Sequence, residues 1–271
     1  MIRRAAFDAL LALCAGIVLA FLALPIVALF TQVPLSRVPH LLTEPAVRDA
    51  IVVTARTTAI ANALFLLAGT PAAYLLATRR FPGRALLITI VELPLVLPPA
   101  VAGIALLAAV GRGGLFGNTL ADAGIVLPFS QWAVVLAVTF VASPFYIRQA
   151  INAFEAVDEQ LINAARTLGA SPARTFARVS LPLAAGGLAT GWVLAFARGI
   201  GEFGATIVFA GNVKGQTQTL TLAIYDQLEA SFDVAIALGI MLVVLSAGVL
   251  LSAKLLAARR SGRPATAPLA A

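Results

Sequence analysis

The stretch INAARTLGASPARTFARVSLP, residues 162–182, carries three arginines, a helix-breaking Gly-Ala-Ser-Pro and a closing Leu-Pro between two of the most apolar regions of the chain. Of the 271 residues, 61% are hydrophobic and 11% charged, and the mean hydropathy is +0.98. A soluble domain carries about a quarter of its residues as charges. This composition instead predicts an all-α polytopic membrane protein, with the polar stretch as an ordered interruption outside the bilayer.

About 20 apolar residues cross a bilayer, and six segments qualify as transmembrane helices: 8–30, 50–78, 85–110, 131–151, 183–209 and 232–256. The first reads as an uncleaved anchor, because its apolar run is long and no clean small-x-small cleavage site follows. The basic residues then set orientation. Arg3, Arg4, Arg79, Arg80, Arg84, Arg148, Arg166, Arg174, Arg178, Lys254, Arg259, Arg260 and Arg263 all fall on one side, thirteen of nineteen. Both termini and the 162–182 stretch are therefore expected in the cytoplasm.

The formal charge of +7 is explained by these loop arginines, so no nucleic-acid partner is expected. The partner surface is membrane lipid. One cysteine, Cys14, excludes an intramolecular disulfide framework, and one histidine, His40, leaves no His-based metal site. A phosphate-binding loop needs a lysine after a glycine-rich turn, whereas Lys214 follows Val213 and Lys254 follows Ala253. No ATPase site, nucleophile–base pair or bound cofactor is expected on this chain.

Residues 155–168, EAVDEQLINAARTL, predict a polar amphipathic helix with Leu161, Ala164, Ala165 and Leu168 on one stripe. Gly169 stands where a left-handed residue ends a helix. Ser171 caps a second short helix with Pro172 at its first position. A mere connection takes about 2–8 residues; one of roughly thirty with its own helices and a corner of small residues predicts a docking surface.

Within the spans, Pro94, Pro98 and Pro99 must bend or break the third, giving either a pathway-lining helix or a static kink. Thr54, Thr58 and Asn62 form a polar stripe on the second that faces protein or water. Gly186, Gly187, Gly191, Gly199, Gly201 and Gly204 give the fifth a small-residue face for close helix packing.

The run Asn163-Ala164-Ala165, three residues, Gly169, nine residues, Val179, one residue, Leu181-Pro182 resembles the Glu-Ala-Ala loop of ABC importer permeases. Asn163 replaces that pattern's glutamate and Val179 its isoleucine. The resemblance spans about 47–255. It implies a type I importer domain there, a coupling loop at about 152–182, an N-terminal helix and extracytoplasmic loop in 1–46, and a basic tail in 256–271. It also implies that Asn163, Ala164, Ala165, Gly169, Ala170, Ser171 and Pro172 dock an ATP-binding subunit in two copies, which would hold ATP and magnesium. A second permease copy is expected beside this one.

The runs ELPLVLPPAVAGIALL, 92–107, and ARGIGEFGATIVFAGNVKGQTQTLTLAIY, 197–225, resemble molybdate and tungstate permeases, with sulfate permeases close to them. The resemblance implies a separate extracytoplasmic oxyanion-binding protein that selects the cargo. Counted from Leu183, Arg198 lies ~22 Å and Glu202 ~28 Å into the membrane, one turn apart. They form an ion pair or, for Arg198, a favourable potential for a tetrahedral dianion. In the second case Glu202 must be neutralised by a partner. Arg56 falls near the outer interface, where it could meet an arriving anion. The rival class is an ion-coupled secondary transporter using Glu92 or Glu202; a scaffold or membrane enzyme is the third.

Overall fold

The structure is a computed structural model that describes residues 2–260, without the side chains of 2–6, 46 and 256–260. Of the expected basic tail, residues 261–271 lie outside the described residues, while 256–260 continue the last helix. The described residues are helical in α1 (Ile2–Gln32), α2 (Val38–Leu41), α3 (Pro45–Thr78), α4 (Arg84–Val96), α5 (Pro99–Val110), α6 (Gly117–Asp122) and α7 (Gln131–Glu155), followed by α8 (Glu159–Thr167), α9 (Pro172–Thr175), α10 (Leu181–Ile200), α11 (Gly204–Ala210), α12 (Leu220–Ala230) and α13 (Phe232–Arg260). No strand occurs among them, as the satisfaction of every backbone group in lipid requires of a helical protein.

Among the described residues, five apolar segments are long enough to cross a membrane: Phe7–Gln32, Val47–Thr78, Gln131–Glu155, Pro172–Ile200 and Phe232–Leu255. The sixth expected span, 85–110, is two half-length helices. Pro98 disfavours helical geometry at the residue before it, so Leu97 and Pro98 are extended (ψ 133° and 135°) and Pro99 restarts the helix. Pro94 stays inside α4. At 1.5 Å per residue, α4 and α5 are ~20 and ~18 Å long, so only together do they cross.

The fifth span departs from the expected 183–209 at both ends. It begins at Pro172, because α9 runs through a π-turn at Phe176–Ser180 straight into α10. Pro182 lacks the N–H that would reach Arg178, and a wider turn just before it absorbs that loss. It ends at Ile200; after a break at 201–203, α11 is a separate short helix. The second short helix expected at Ser171-Pro172 is therefore the first turn of a span, and Leu181-Pro182 lies inside that helix. The helix expected over 155–168 is also shorter. Glu155 closes α7, and the Asp158 carboxylate accepts the Gln160 N–H at 2.8 Å to start α8 at Glu159.

Helix α7 is the centre of the bundle, with α3 and α10 packed along it. Ala133, Val134, Ala137, Val138 and Val141 join Ala61, Ala102, Ala205 and Phe209 in one core. Tyr146, Ile151 and Phe154 join Phe65, Ala73, Leu76 and Ala195 in a second core nearer the corner. Close approach of α10 to α7 depends on missing side chains: a Cβ on Gly187 would stand 2.4 Å from Ala153 Cβ, and one on Gly191 2.9 Å from Gln149 Cβ. Gly199 meets Val138, and Gly204 meets Pro99 on α5 instead; Gly186 and Gly201 touch no neighbouring helix, so they take no part in this face. Helix α1 is peripheral, its apolar window 0% buried, and leans on α13.

Candidate coupling and transport site

The corner between α8 and α10 is built by local capping. Gly169 is left-handed (φ 81°) and donates its N–H to Arg166 O at 2.9 Å, while Ala170 donates to Ala165 O at 3.0 Å. The Ser171 hydroxyl accepts the Arg174 N–H at 3.3 Å, and Pro172 occupies the first helical position. Thr175 anchors the turn from below, buried and donating to Ser171 O at 3.1 Å. Above this base, Asn163, Ala164, Leu168, Gly169, Ser171 and Pro172 are exposed, and Ala165 and Ala170 are half-buried. Helix α8 has no buried residue, and the apolar Leu161 and Leu168 are 49% and 88% exposed. A flat patch of small side chains with two unpartnered leucines is thus presented away from the bundle.

The root of α8 is tied down by charge. Arg84 Nη2 meets Glu155 Oε1 at 2.5 Å, and its Nε donates to Leu76 O at 2.6 Å in the last turn of α3. Beside it lies a cleft of about 440 Å³ whose lining includes Tyr74, Arg80, Glu159, Asn163 and Arg166. Two turns further into the bundle, Arg148 Nη1 on α7 meets Glu92 Oε1 on α4 at 2.8 Å.

The polar stripe of α3 is buried against protein. Thr54 accepts the Leu220 N–H at 2.8 Å, satisfying one of the four unpaired donors at the start of α12. Asn62 accepts the Trp192 indole N–H at 2.8 Å and donates to Thr58 O at 2.7 Å. Arg56 points off this stripe and is exposed.

Glu202 is 2% exposed and sits in the break between α10 and α11. One carboxylate oxygen accepts the Ala205 N–H at 2.7 Å; the other lies 2.7 Å from Arg198 Nη1, close enough for a strong charge contact though not aligned as a hydrogen bond. The Glu202 carbonyl also accepts the Thr221 hydroxyl at 2.7 Å. Its charge is therefore neutralised by Arg198 and by the positive end of α11. The Arg198 side chain keeps 29% exposure. Thr54, Asn62 and Glu202 are thus tied to neighbouring elements, Thr58 is buried in the same stripe, Arg56 and Arg198 keep solvent-facing surface, and Pro98-Pro99 makes the break of span 3.

Thr221, Trp192, the Leu220 N–H and both α4–α7 ion pairs escaped the sequence reading. The ion pairs had left a signal: Arg84 and Glu92 on one span, Arg148 and Glu155 on the next, at spacings of eight and seven residues.

A bent six-crossing bundle with an exposed capped corner between its fourth and fifth crossings is the architecture of an importer permease. Residues 69–262 match the binding-protein-dependent transport system inner membrane component, and the chain belongs to that family. Several relatives carry a more particular name. The molybdenum transport system permease protein ModB of Mycobacterium tuberculosis is 46% identical over 239 residues, 88% of this chain and 89% of that one. The protein of the same name from Escherichia coli is 43% identical over 190 residues, 70% of this chain and 82% of the relative. The fold matches a bacterial alginate ABC transporter, solved in complex with an alginate pentasaccharide-bound periplasmic protein, with a TM-score of 0.77, 18% identity and 96% of each chain covered.

Proposed function

We propose that this chain is the permease of an ATP-driven importer of molybdate or the isosteric tungstate. The observation that carries the cargo is the 46% identity over 88% of the chain to a molybdenum permease. A separate ATP-binding subunit, in two copies and holding ATP and magnesium, docks on Asn163, Ala164, Ala165, Gly169, Ala170, Ser171 and Pro172. The exposed apolar side chains of Leu161 and Leu168 beside that corner support this reading, since unpartnered apolar surface marks an interaction site. This chain has no ATPase site of its own, and both its termini are cytoplasmic, as the distribution of arginines favours.

A binding protein delivers the oxyanion to the opposite face. There Arg56 and Arg198, both with exposed surface, set a favourable potential. The passage itself is weakly selective, and the bent span 3 at Pro94, Pro98 and Pro99 moves during gating. The test is uptake of labelled molybdate, with sulfate as competitor, by the reconstituted permease, ATP-binding subunit and binding protein. Molybdate uptake that sulfate fails to suppress is expected; uptake of sulfate alone overturns the cargo while leaving the transport fold untouched.

A further inference from the structure

Span 3 is held differently on the two sides of its break. Helix α5 is packed backbone-close on α11: a Cβ on Gly103 would stand 2.7 Å from Val208 Cβ, and one on Gly204 2.6 Å from Pro99 Cβ. Helix α4 has no buried residue, and among the described residues only partly buried Ile88 and Val91 join the core. Its side-chain ties to α7 beyond these two residues are charged. Arg84 of α4 pairs with Glu155 of α7 at 2.5 Å, and Glu92 of α4 pairs with Arg148 of α7 at 2.8 Å.

The two pairs are opposite in sense and share one register. Moving from the first to the second advances eight residues along α4 and seven back along antiparallel α7, about 12 and 10 Å. Apolar contacts between membrane helices slide easily, because lipid tails are as good a neighbour as leucine. The two ion pairs keep part of their surface exposed, 31% and 44% for Arg84 and Glu155 and 48% and 36% for Arg148 and Glu92, but a slide of α4 along α7 separates both at once, which apolar contacts alone do not resist. The ladder therefore favours one register of α4 on α7. It also starts at the root of the corner: Glu155 is the last residue of α7, three residues before the Asp158 cap of α8.

We infer that Arg84, Glu92, Arg148 and Glu155 form the transmission between the α8 corner and span 3. A displacement of α8 by the docked subunit moves the end of α7. The ladder carries α4 with it, and the chain bends at Leu97-Pro98 because α5 stays locked to α11. This rests on the reading of the α8 corner as the ATPase-docking surface.

The measurement is molybdate imported per ATP hydrolysed by the full reconstituted complex, with ATPase copurification recorded alongside. Glu92→Gln and Arg148→Gln are expected to lower that ratio about tenfold, within the range of coupling changes from residues between sites, with the ATPase still bound. The charge-reversed pair Glu92→Arg with Arg148→Glu rebuilds the rung and is expected to restore most of the ratio. If the single variants fail to accumulate in the membrane, the reversed pair decides alone. Import and hydrolysis falling together at constant ratio, a change confined to the half-saturating molybdate concentration, or no recovery in the reversed pair overturns the transmission. Failure of the docking reading shows separately, as a Gly169→Trp complex that keeps its ATPase and its ratio.

Discussion

Trp192 on α10 donates its indole N–H to Asn62 on α3 at 2.8 Å, across 130 positions of sequence. The bond joins the two helices that flank α7, and the Asn62 amide N–H donates back to Thr58 O. It makes a buried asparagine tolerable in a membrane helix. Removing the donor leaves the Asn62 oxygen without a partner. Trp192→Phe is expected to destabilise the detergent-purified protein by roughly 1 kcal/mol, the scale measured for interhelical hydrogen bonds in membranes, and Asn62→Leu in the same background to recover part of it. Thermal unfolding followed by tryptophan-independent probes checks both; an unchanged midpoint in Trp192→Phe removes the bond's structural role.

At the corner, Gly169 combines a φ of 81° with open space around its missing Cβ. Gly169→Ala meets no neighbour and carries only the left-handed penalty of about 1–2 kcal/mol, local to an exposed turn, so it should still bind the ATP-binding subunit. Gly169→Trp adds bulk to the presented surface and should abolish copurification of that subunit or uncouple hydrolysis from uptake, with membrane insertion unaffected.

The buried Glu202 depends on Arg198. Arg198→Met strands a carboxylate that is 2% exposed, and losing one partner of a buried pair costs about 3–5 kcal/mol. Adding Glu202→Gln should recover most of that, because the amide oxygen still accepts the Ala205 N–H while carrying no charge. Expression level and thermal midpoint of the single and double variants decide; equal instability in both shows that the charge is not what Arg198 balances.

Close packing of α7 and α10 predicts a reciprocal pair. Gly187→Ala places a methyl 2.4 Å from Ala153 Cβ, and overpacking of this kind costs about 1–3 kcal/mol. Ala153→Gly should relieve it. If the double variant is no more stable than Gly187→Ala, the two helices do not meet at these residues.

The proposed assembly is a homodimer, since one corner per chain offers one docking site and closed twofold symmetry supplies the second. Native mass measurement of the complex is expected to show two copies of this chain with two ATP-binding subunits. One copy beside a different permease chain overturns it.

Composition and local signals determined a great deal. The mean hydropathy, the apolar run lengths and the arginine distribution made this a multi-span helical protein before any coordinate was known, because the bilayer imposes length and composition on each crossing separately. The corner was legible for the same reason: Gly169, Ser171 and Pro172 act on their own backbone within one turn, and each adopts the expected role. So was the break at Leu97-Pro98, which is local sterics.

Only the tertiary structure decided what is non-local. The Asn62–Trp192 bond and the α4–α7 ladder depend on which helix faces lie together, and a helix period constrains a face but not its partner. The end of span 5 at Ile200 is not legible in the sequence, because 201–210 is apolar but for Glu202 and Thr206 and continues the run before it; the one buried carboxylate, capping α11 and meeting Arg198, makes it a separate helix. Likewise α9 and α10 merge although Leu181-Pro182 looks like a boundary, since the π-turn before Pro182 accommodates the ring. In each case the cost that sequence rules assign locally is offset by a contact, or a turn geometry, that only the folded chain provides.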